Sequence, residues 1–279
     1  MRLGGKIVGK RLAPDEWVAA LQESGFTATF WPPYALDAPD DTVRAYAEAA
    51  AKADIVVSEV IAWKNTLSPD EAERKAALER SKKALDLADR IGARCALGGA
   101  GGPNTEWEGP HPSNLTEETF EMVVETTRAI IDDVRPKRAF YTLETMPWAF
   151  PNSVANYERL LEAVDRKQFA AHCDPFNFVV SPEIYFNSAA MVREFFAKLG
   201  DRVVSCHAKD VLLHDTMTVH IEEVRAGLGT MDYSVFLKEI QRADPDMPLL
   251  IEHLKTNEEY RQAADYIRSV AKKAGVPVL

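Results

Sequence analysis

Eight short apolar runs, separated by segments with the periodicity of amphipathic helices, extend through this 279-residue chain. The runs are GGKIVGK, GFTATFW, ADIVVSEVIAW, ARCALGGA, RAFYTLE, QFAAHCD, RVVSCHAK and MPLLIEH. Between them lie segments such as PDEWVAALQES, DDTVRAYAEAAAKA, DEAERKAALERSKKALDLADRIG and EETFEMVVETTRAIIDDV, with the spacing of one apolar helix face. Strands that alternate with helices imply a parallel sheet, because parallel neighbours need a crossover connection. Eight repeats favour an α/β fold closed into a (β/α)8 barrel over an open doubly wound sheet. No GxGxxG follows the first run to support a dinucleotide-binding alternative. Ser68-Pro69-Asp70-Glu71, Thr116-Glu117-Glu118 and Asn152-Ser153 each place a side-chain acceptor before a helical first turn, and Gly92 and Gly200 follow helical patterns as C-terminal caps do. No linker divides the chain, so residues 1–279 read as a single barrel domain.

The fifth to eighth runs end at Glu144, Asp174, His207 and Glu252. The carboxyl ends of parallel strands are where such a barrel builds its active site. One carboxylate at a strand end reads equally well as a hydrogen-bonded structural group. Four metal-ligating residues at four consecutive strand ends do not. Three carboxylates and one imidazole, without thiolate, suit Mn²⁺, Mg²⁺, Co²⁺ or Zn²⁺.

Composition narrows the partners. The chain is 46% hydrophobic, enough for a large core, and carries 43 acidic against 33 basic residues, a net charge of −10. That balance argues against nucleic acid, which calls for a basic surface. Cys95, Cys173 and Cys206 form no CxxC pair and fit a reducing cytosol, so a cytoplasmic location is expected. Strand alternation turns Cys173 and Cys206 away from the neighbouring ligands. No signal peptide or membrane-length apolar run is visible, so no membrane partner is expected.

Parity along the strands selects further candidates. Lys209 lies two residues after His207 and faces the same side, to hold a substrate oxygen or to pair with an acid. Asp210 points away and reads as structural. His172 faces inward one layer below Asp174, as a core histidine or a substrate contact. His253 is expected to face the helices. His214 and His220 lie in a loop that overhangs the site. The loop GGAGGPNTEWEGPHPSN after the fourth run has the length of a lid and carries Trp107 on the catalytic face.

The motifs LET around Glu144, HCDPFN around Asp174, HAKD from His207 to Asp210, IEH around Glu252 and AGLGTMDY from Ala226 to Tyr233 resemble those of the sugar phosphate isomerase/epimerase family, the xylose isomerase-like barrels. The resemblance covers nearly the whole chain. It implies one divalent ion, Mn²⁺ first, held by Glu144, Asp174, His207 and Glu252. It also implies that Glu144 and Glu252 move a proton through a metal-bound enediolate of a ketose, keto-sugar or related polyol. Asn177, Lys209, Arg225, Trp107 and His172 are then the candidate substrate contacts. The partner is a small-molecule sugar or polyol, and a homo-oligomer is compatible. Asn177 stands where epimerases of the family carry His, which keeps a lyase or dehydratase acting on a keto-inositol or keto-glycoside as the alternative. An endonuclease IV-type reaction needs more ligands. The second to fourth strand ends offer Trp31-Pro32, Trp63-Lys64 and Gly99-Ala100, with no His.

Overall fold

A computed structural model describes residues 1–9 and 11–279. The strands are β1 (Arg2–Gly4), β2 (Ala28–Phe30), β3 (Val56–Ile61), β4 (Cys95–Gly98), β5 (Phe140–Leu143), β6 (Phe169–Cys173), β7 (Val203–Ala208), β8 (Asp210–Leu213), β9 (Ile221–Val224) and β10 (Pro248–Ile251). The helices are α1 (Pro14–Glu23), α2 (Asp40–Lys52), α3 (Glu71–Ile91), α4 (Glu117–Val134), α5 (Val154–Val164), α6 (Pro182–Phe186), α7 (Ser188–Leu199), α8 (Tyr233–Ala243) and α9 (Asn257–Ala274). Strands β1 to β7 and β10 close into a barrel in the order β1-β2-β3-β4-β5-β6-β7-β10, with parallel neighbours throughout.

Helices form where one apolar face meets the barrel wall. In α8 the buried residues are Tyr233, Phe236, Leu237 and Ile240, the i, i+3, i+4, i+7 stripe of a helix packed on one side. Each such large side chain contributes about 1.5–3 kcal/mol on burial. Asp70, Thr116 and Ser153 cap α3, α4 and α5 by accepting the backbone N–H of Glu73, Thr119 and Asn156. Gly92 ends α3 with φ of 75°, in the left-handed region that favours glycine. Gly200 does not: its φ is −57°, and it starts a 3₁₀ turn leading directly into β7.

Two further expectations need correction. The first strand is Arg2–Gly4, not GGKIVGK, whose last residue, Lys10, lies outside the described residues. Met1 and Leu3 enter the core, and β1 pairs with β10 in the register Leu3↔Leu249. Ile7 is apolar for another reason: it lines the barrel mouth. The segment after β7 is not a plain loop. Strands β8 and β9 form an antiparallel hairpin, pinned at its base by Asp210, which accepts the N–H groups of Val211, Gly227 and Met231. Among the described residues no helix is long and apolar enough to cross a membrane.

Two register shifts matter for the site. Thr29 pairs with Val57 but Phe30 with Glu59, and Ala171 pairs with Val203 but His172 with Ser205. Each inserts one extra residue, Ser58 in β3 and Val204 in β7. Such bulges re-aim the side chains that follow.

Candidate active site

Glu144, Asp174 and Glu252 each stand one residue past the end of β5, β6 and β10, and His207 is the penultimate residue of β7. Because these strands are adjacent, four side chains distant in sequence converge. One donor atom from each lies within 4.8 Å of all the others, and no member is more than 7% exposed. His207 Nδ1 is 2.9 Å from Glu252 Oε2, 3.6 Å from Glu144 Oε1 and 3.8 Å from Asp174 Oδ2. Two ligands that share an ion through bonds of about 2.1 Å stand roughly 3.0–3.4 Å apart in octahedral or tetrahedral geometry. The nitrogen is buried without a well-formed hydrogen bond, facing three carboxylate oxygens. Lys209 offsets one of those negative charges, which leaves the balance that a divalent cation would meet. The donor set therefore fits a hard or borderline divalent ion.

Lys209 is 3% exposed, with Nζ 2.7 Å from Asp174 Oδ2 and 2.7 Å from Glu252 Oε1. Despite burial, Asp174 and Glu252 keep its ammonium protonated. Asn177 Nδ2 donates to Asp174 Oδ2 at 2.9 Å, to the Thr145 carbonyl at 2.9 Å and, at 3.4 Å, to Glu144 Oε1. The two outer carboxylates sit in different fields. Burial, with Glu252 nearby, pushes the Glu144 carboxyl above its ordinary pKa. Burial acts the same way on Glu252, but His207 and Lys209 outweigh it and hold that carboxyl well below. Burial opposes a charge on His207, yet Glu252 and Glu59 raise its pKa well above the ordinary value, so a cation at this imidazole competes with a proton.

Glu59 was not among the sequence candidates. Its carboxylate is fully buried in β3, beneath the ligand set. His207 Nε2 is 3.1 Å from Glu59 Oε2, and His172 Nε2 is 3.2 Å from Oε1. Ser205 donates its hydroxyl to Oε1, and Ser58 and Ser205 are 2.7 Å apart. With Nε2–H held by Glu59, Nδ1 is the nitrogen left for a metal, the arrangement by which a carboxylate fixes the tautomer of a ligating histidine. A signal existed in the sequence: a charged residue within the apolar run IVVSEVIAW. Its direction depends on the bulge at Ser58, which strand parity does not reveal.

A cavity of about 890 Å³ opens above these four residues. Glu144, His207, Glu252, Lys209 and Asn177 line it. The other three candidates lie elsewhere. His172 is fully buried under the site, with its ring 4.2 Å from that of His207. Trp107 packs behind Trp63, ring centroids 5.7 Å apart, and Trp63 faces the cavity. Arg225 folds onto its own segment and donates to the Ala226 carbonyl at 3.2 Å. His253 also departs from expectation. A left-handed backbone, φ 57°, turns it to the mouth, where Nδ1 meets Glu223 Oε1 at 2.9 Å. His214 and His220 face each other across the β8–β9 hairpin, away from the cavity lining. The long loop after β4 is tied down by amides. Asn65 bonds both backbone groups of Gly102, Asn104 donates to Asn114, and Asn114 donates to the Gly109 carbonyl. Cys173 and Cys206 are buried and unpaired, off the cavity.

A family model described as a xylose isomerase-like TIM barrel matches residues 18–270. No protein of curated function matches the chain by sequence. Among solved structures, 3-keto-D-glucoside 4-epimerase from E. coli superposes with a TM-score of 0.72 at 14% identity, covering 96% of this chain and 99% of that one. D-psicose 3-epimerase from Clostridium cellulolyticum H10, solved with D-tagatose, gives 0.71 at 13% identity, covering 97% and 99%. A xylose isomerase-like TIM barrel protein from Mycobacterium smegmatis in complex with magnesium gives 0.69 at 14% identity, covering 97% and 94%. At these identities the superpositions establish the fold alone.

Proposed function

The chain belongs to the xylose isomerase-like TIM barrel family, and from that premise we propose that it is a divalent-metal-dependent isomerase or epimerase of a ketose, keto-sugar or related polyol. The observation that carries this reading is the convergence of Glu144, Asp174, His207 and Glu252 at one barrel mouth. Mn²⁺ is the first candidate for the ion, before Mg²⁺, Co²⁺ or Zn²⁺; the magnesium complex of one structural neighbour supports a metal of this class. Such an ion, when bound, supplies Lewis acidity that makes the C–H beside a sugar carbonyl easier to ionise, an effect worth several kcal/mol.

The protein's own groups handle the proton. In the order β5-β6-β7-β10, Glu144 and Glu252 are the outer members of the set and flank it from opposite ends. One of these two carboxylates takes the proton and the other returns it. Lys209 supports a substrate oxygen that gains negative charge, and Asn177 helps to orient the carboxylates. A net charge of −10 argues against nucleic acid as the substrate. The three unpaired cysteines fit a cytoplasmic setting.

A second reading keeps the site and changes the outcome. Asn177 replaces the family's histidine and spends its amide on Asp174, Thr145 and Glu144, so it brings no titratable group to the substrate. Elimination from a keto-inositol or keto-glycoside begins with the same proton loss. Both readings are tested by incubating the metal-loaded protein with ketoses, inososes and 3-keto-glycosides in D₂O and following them by NMR. Deuterium beside the carbonyl, with an epimer or isomer as product, supports the first reading. An unsaturated product supports the second. Turnover without exchange, once internal proton transfer is excluded, rejects the two-carboxylate route.

A further inference from the structure

The proposed polar machinery gathers on one side of the barrel mouth, whereas apolar side chains line both, with Met146, Trp148, Phe176 and Val179 on the ligand side. All four proposed ligands, with Lys209 and Asn177, come from the half built by β5, β6, β7 and β10. The opposite half, β1 to β4, presents Phe30, Tyr34, Ile61 and Trp63 to the same cavity, with only the edges of the buried Trp31 and Leu97. The space continues sideways to Trp17 of α1 and to Leu36. Trp63 is held in place from behind: its indole N–H donates to Glu108 at 2.9 Å and its ring rests against Trp107. The cations on this side are Lys6 and Arg80.

Size points the same way. A hexose has about a dozen non-hydrogen atoms, and even at the roughly 30 Å³ that a water molecule takes in the liquid it would fill less than half of the space. The 890 Å³ cavity lies instead at the upper end of the roughly 300–1,000 Å³ range of pockets that enclose a whole drug-sized ligand. A second sugar in the β1–β4 half would have to share Lys6, Thr29, Arg80 and Glu108, of which Thr29 is already bonded to Gly5 and Glu108 to Trp63, among a full ring of hydroxyls.

We infer that the substrate is a keto-sugar joined to a flat, apolar aglycone, with the sugar over Glu144, Asp174, His207 and Glu252 and the aglycone in the β1–β4 half. This rests on the sugar-directed reading above but concerns a different part of the cavity, so the two can fail separately. The aglycone is recognised by shape and apolar burial, with Trp63 and Tyr34 as ring-sized surfaces and Phe30 and Ile61 beside them.

The test uses the metal-loaded protein and matched probes. Binding of methyl and phenyl β-D-glucosides, which lack the keto group, is measured by calorimetry, and turnover is measured on their 3-keto forms. The phenyl compound is expected to bind about tenfold tighter or more, from the added apolar area. Trp63→Ala and, independently, Ile61→Asn should cut that ratio to below about threefold, and circular dichroism checks that each variant is folded. A phenyl preference in binding without turnover of either keto form supports the compartment while the proposed reaction fails. Equal binding of methyl and phenyl probes overturns the inference. So does a 3-keto-disaccharide preferred over the phenyl compound, or a phosphorylated keto-sugar preferred over both, which would assign Lys6 and Arg80 to an anion.

Discussion

His207 faces two ways, and this carries the chemistry of the site at the scale of single residues. Nδ1 looks up at three carboxylates, while Nε2 is held from below by Glu59. Glu59→Gln keeps the shape but replaces one acceptor oxygen with an amide donor, so it cannot accept from both imidazoles. Divalent affinity, measured by competition with a chelator, should fall about 10- to 100-fold. The melting temperature of the metal-free variant serves as the control. Lost stability with unchanged affinity would reduce Glu59 to a core residue. The outer pair is tested separately. Glu144→Gln and Glu252→Gln should each lower turnover by roughly 10²-fold or more if they move the proton. Restoration of rate by excess metal in either variant would mean that this residue serves as a ligand only.

Among elements, the positions where strands and helices meet decide what reaches the mouth. Eight apolar runs made the barrel readable, because strand and helix periods differ and each run has strand length. The first strand was misread because Ile7 and Val8 supply apolar residues that serve the mouth and its surroundings. The hairpin was missed because IEEV carries two acidic residues and no apolar alternation. One junction gives a measurable pH dependence. Asp89, near the end of α3, accepts the N–H groups of Lys137, Arg138 and Ala139 just before β5. Burial opposes its ionisation, but these three donors prevail and place its carboxyl below the ordinary 3.8. A lowered folded pKa stabilises above the unfolded value, and that contribution is lost as pH falls through the folded one. Asp89→Ala should therefore cost about 1–2 kcal/mol at pH 7, an estimate reduced for the partial exposure of the carboxylate. In denaturant titrations the gap from the wild type should narrow as pH drops from 5 towards 3. A gap that stays constant would show that the backbone contacts do not depend on the charge.

At the scale of the whole molecule, an ion at the proposed site would couple to stability, since residues from β5, β6, β7 and β10 must be assembled before the four proposed ligands can meet. An ion at about 100 times its dissociation constant stabilises a folded protein by roughly 2.7 kcal/mol. At roughly 2–4 °C per kcal/mol, the value for domains of about 150–250 residues, Mn²⁺ should raise the melting temperature by about 5–10 °C. A chelator should reverse the rise, and His207→Ala should show little of it. An equal rise in that variant would place the ion elsewhere.

The order of apolar runs determined the barrel, because eight alternating repeats leave few other ways to bury every strand. It also marked Glu144, Asp174, His207 and Glu252, the proposed ligands, because a strand end is a local feature and each of them sits at one. Lys209 followed from its offset to His207, and Asn177 from the resemblance of the motif around Asp174. Tertiary structure alone decided Glu59, because a bulge at Ser58 sets the direction of its side chain and its partners come from β6 and β7. It also removed His172, Trp107 and Arg225 from the cavity lining and brought His253 in, since a left-handed residue after β10 breaks the strand parity that would have sent it to the helices. The apolar half of the mouth depends likewise on the closed barrel, where strands far apart in sequence face each other across a single opening.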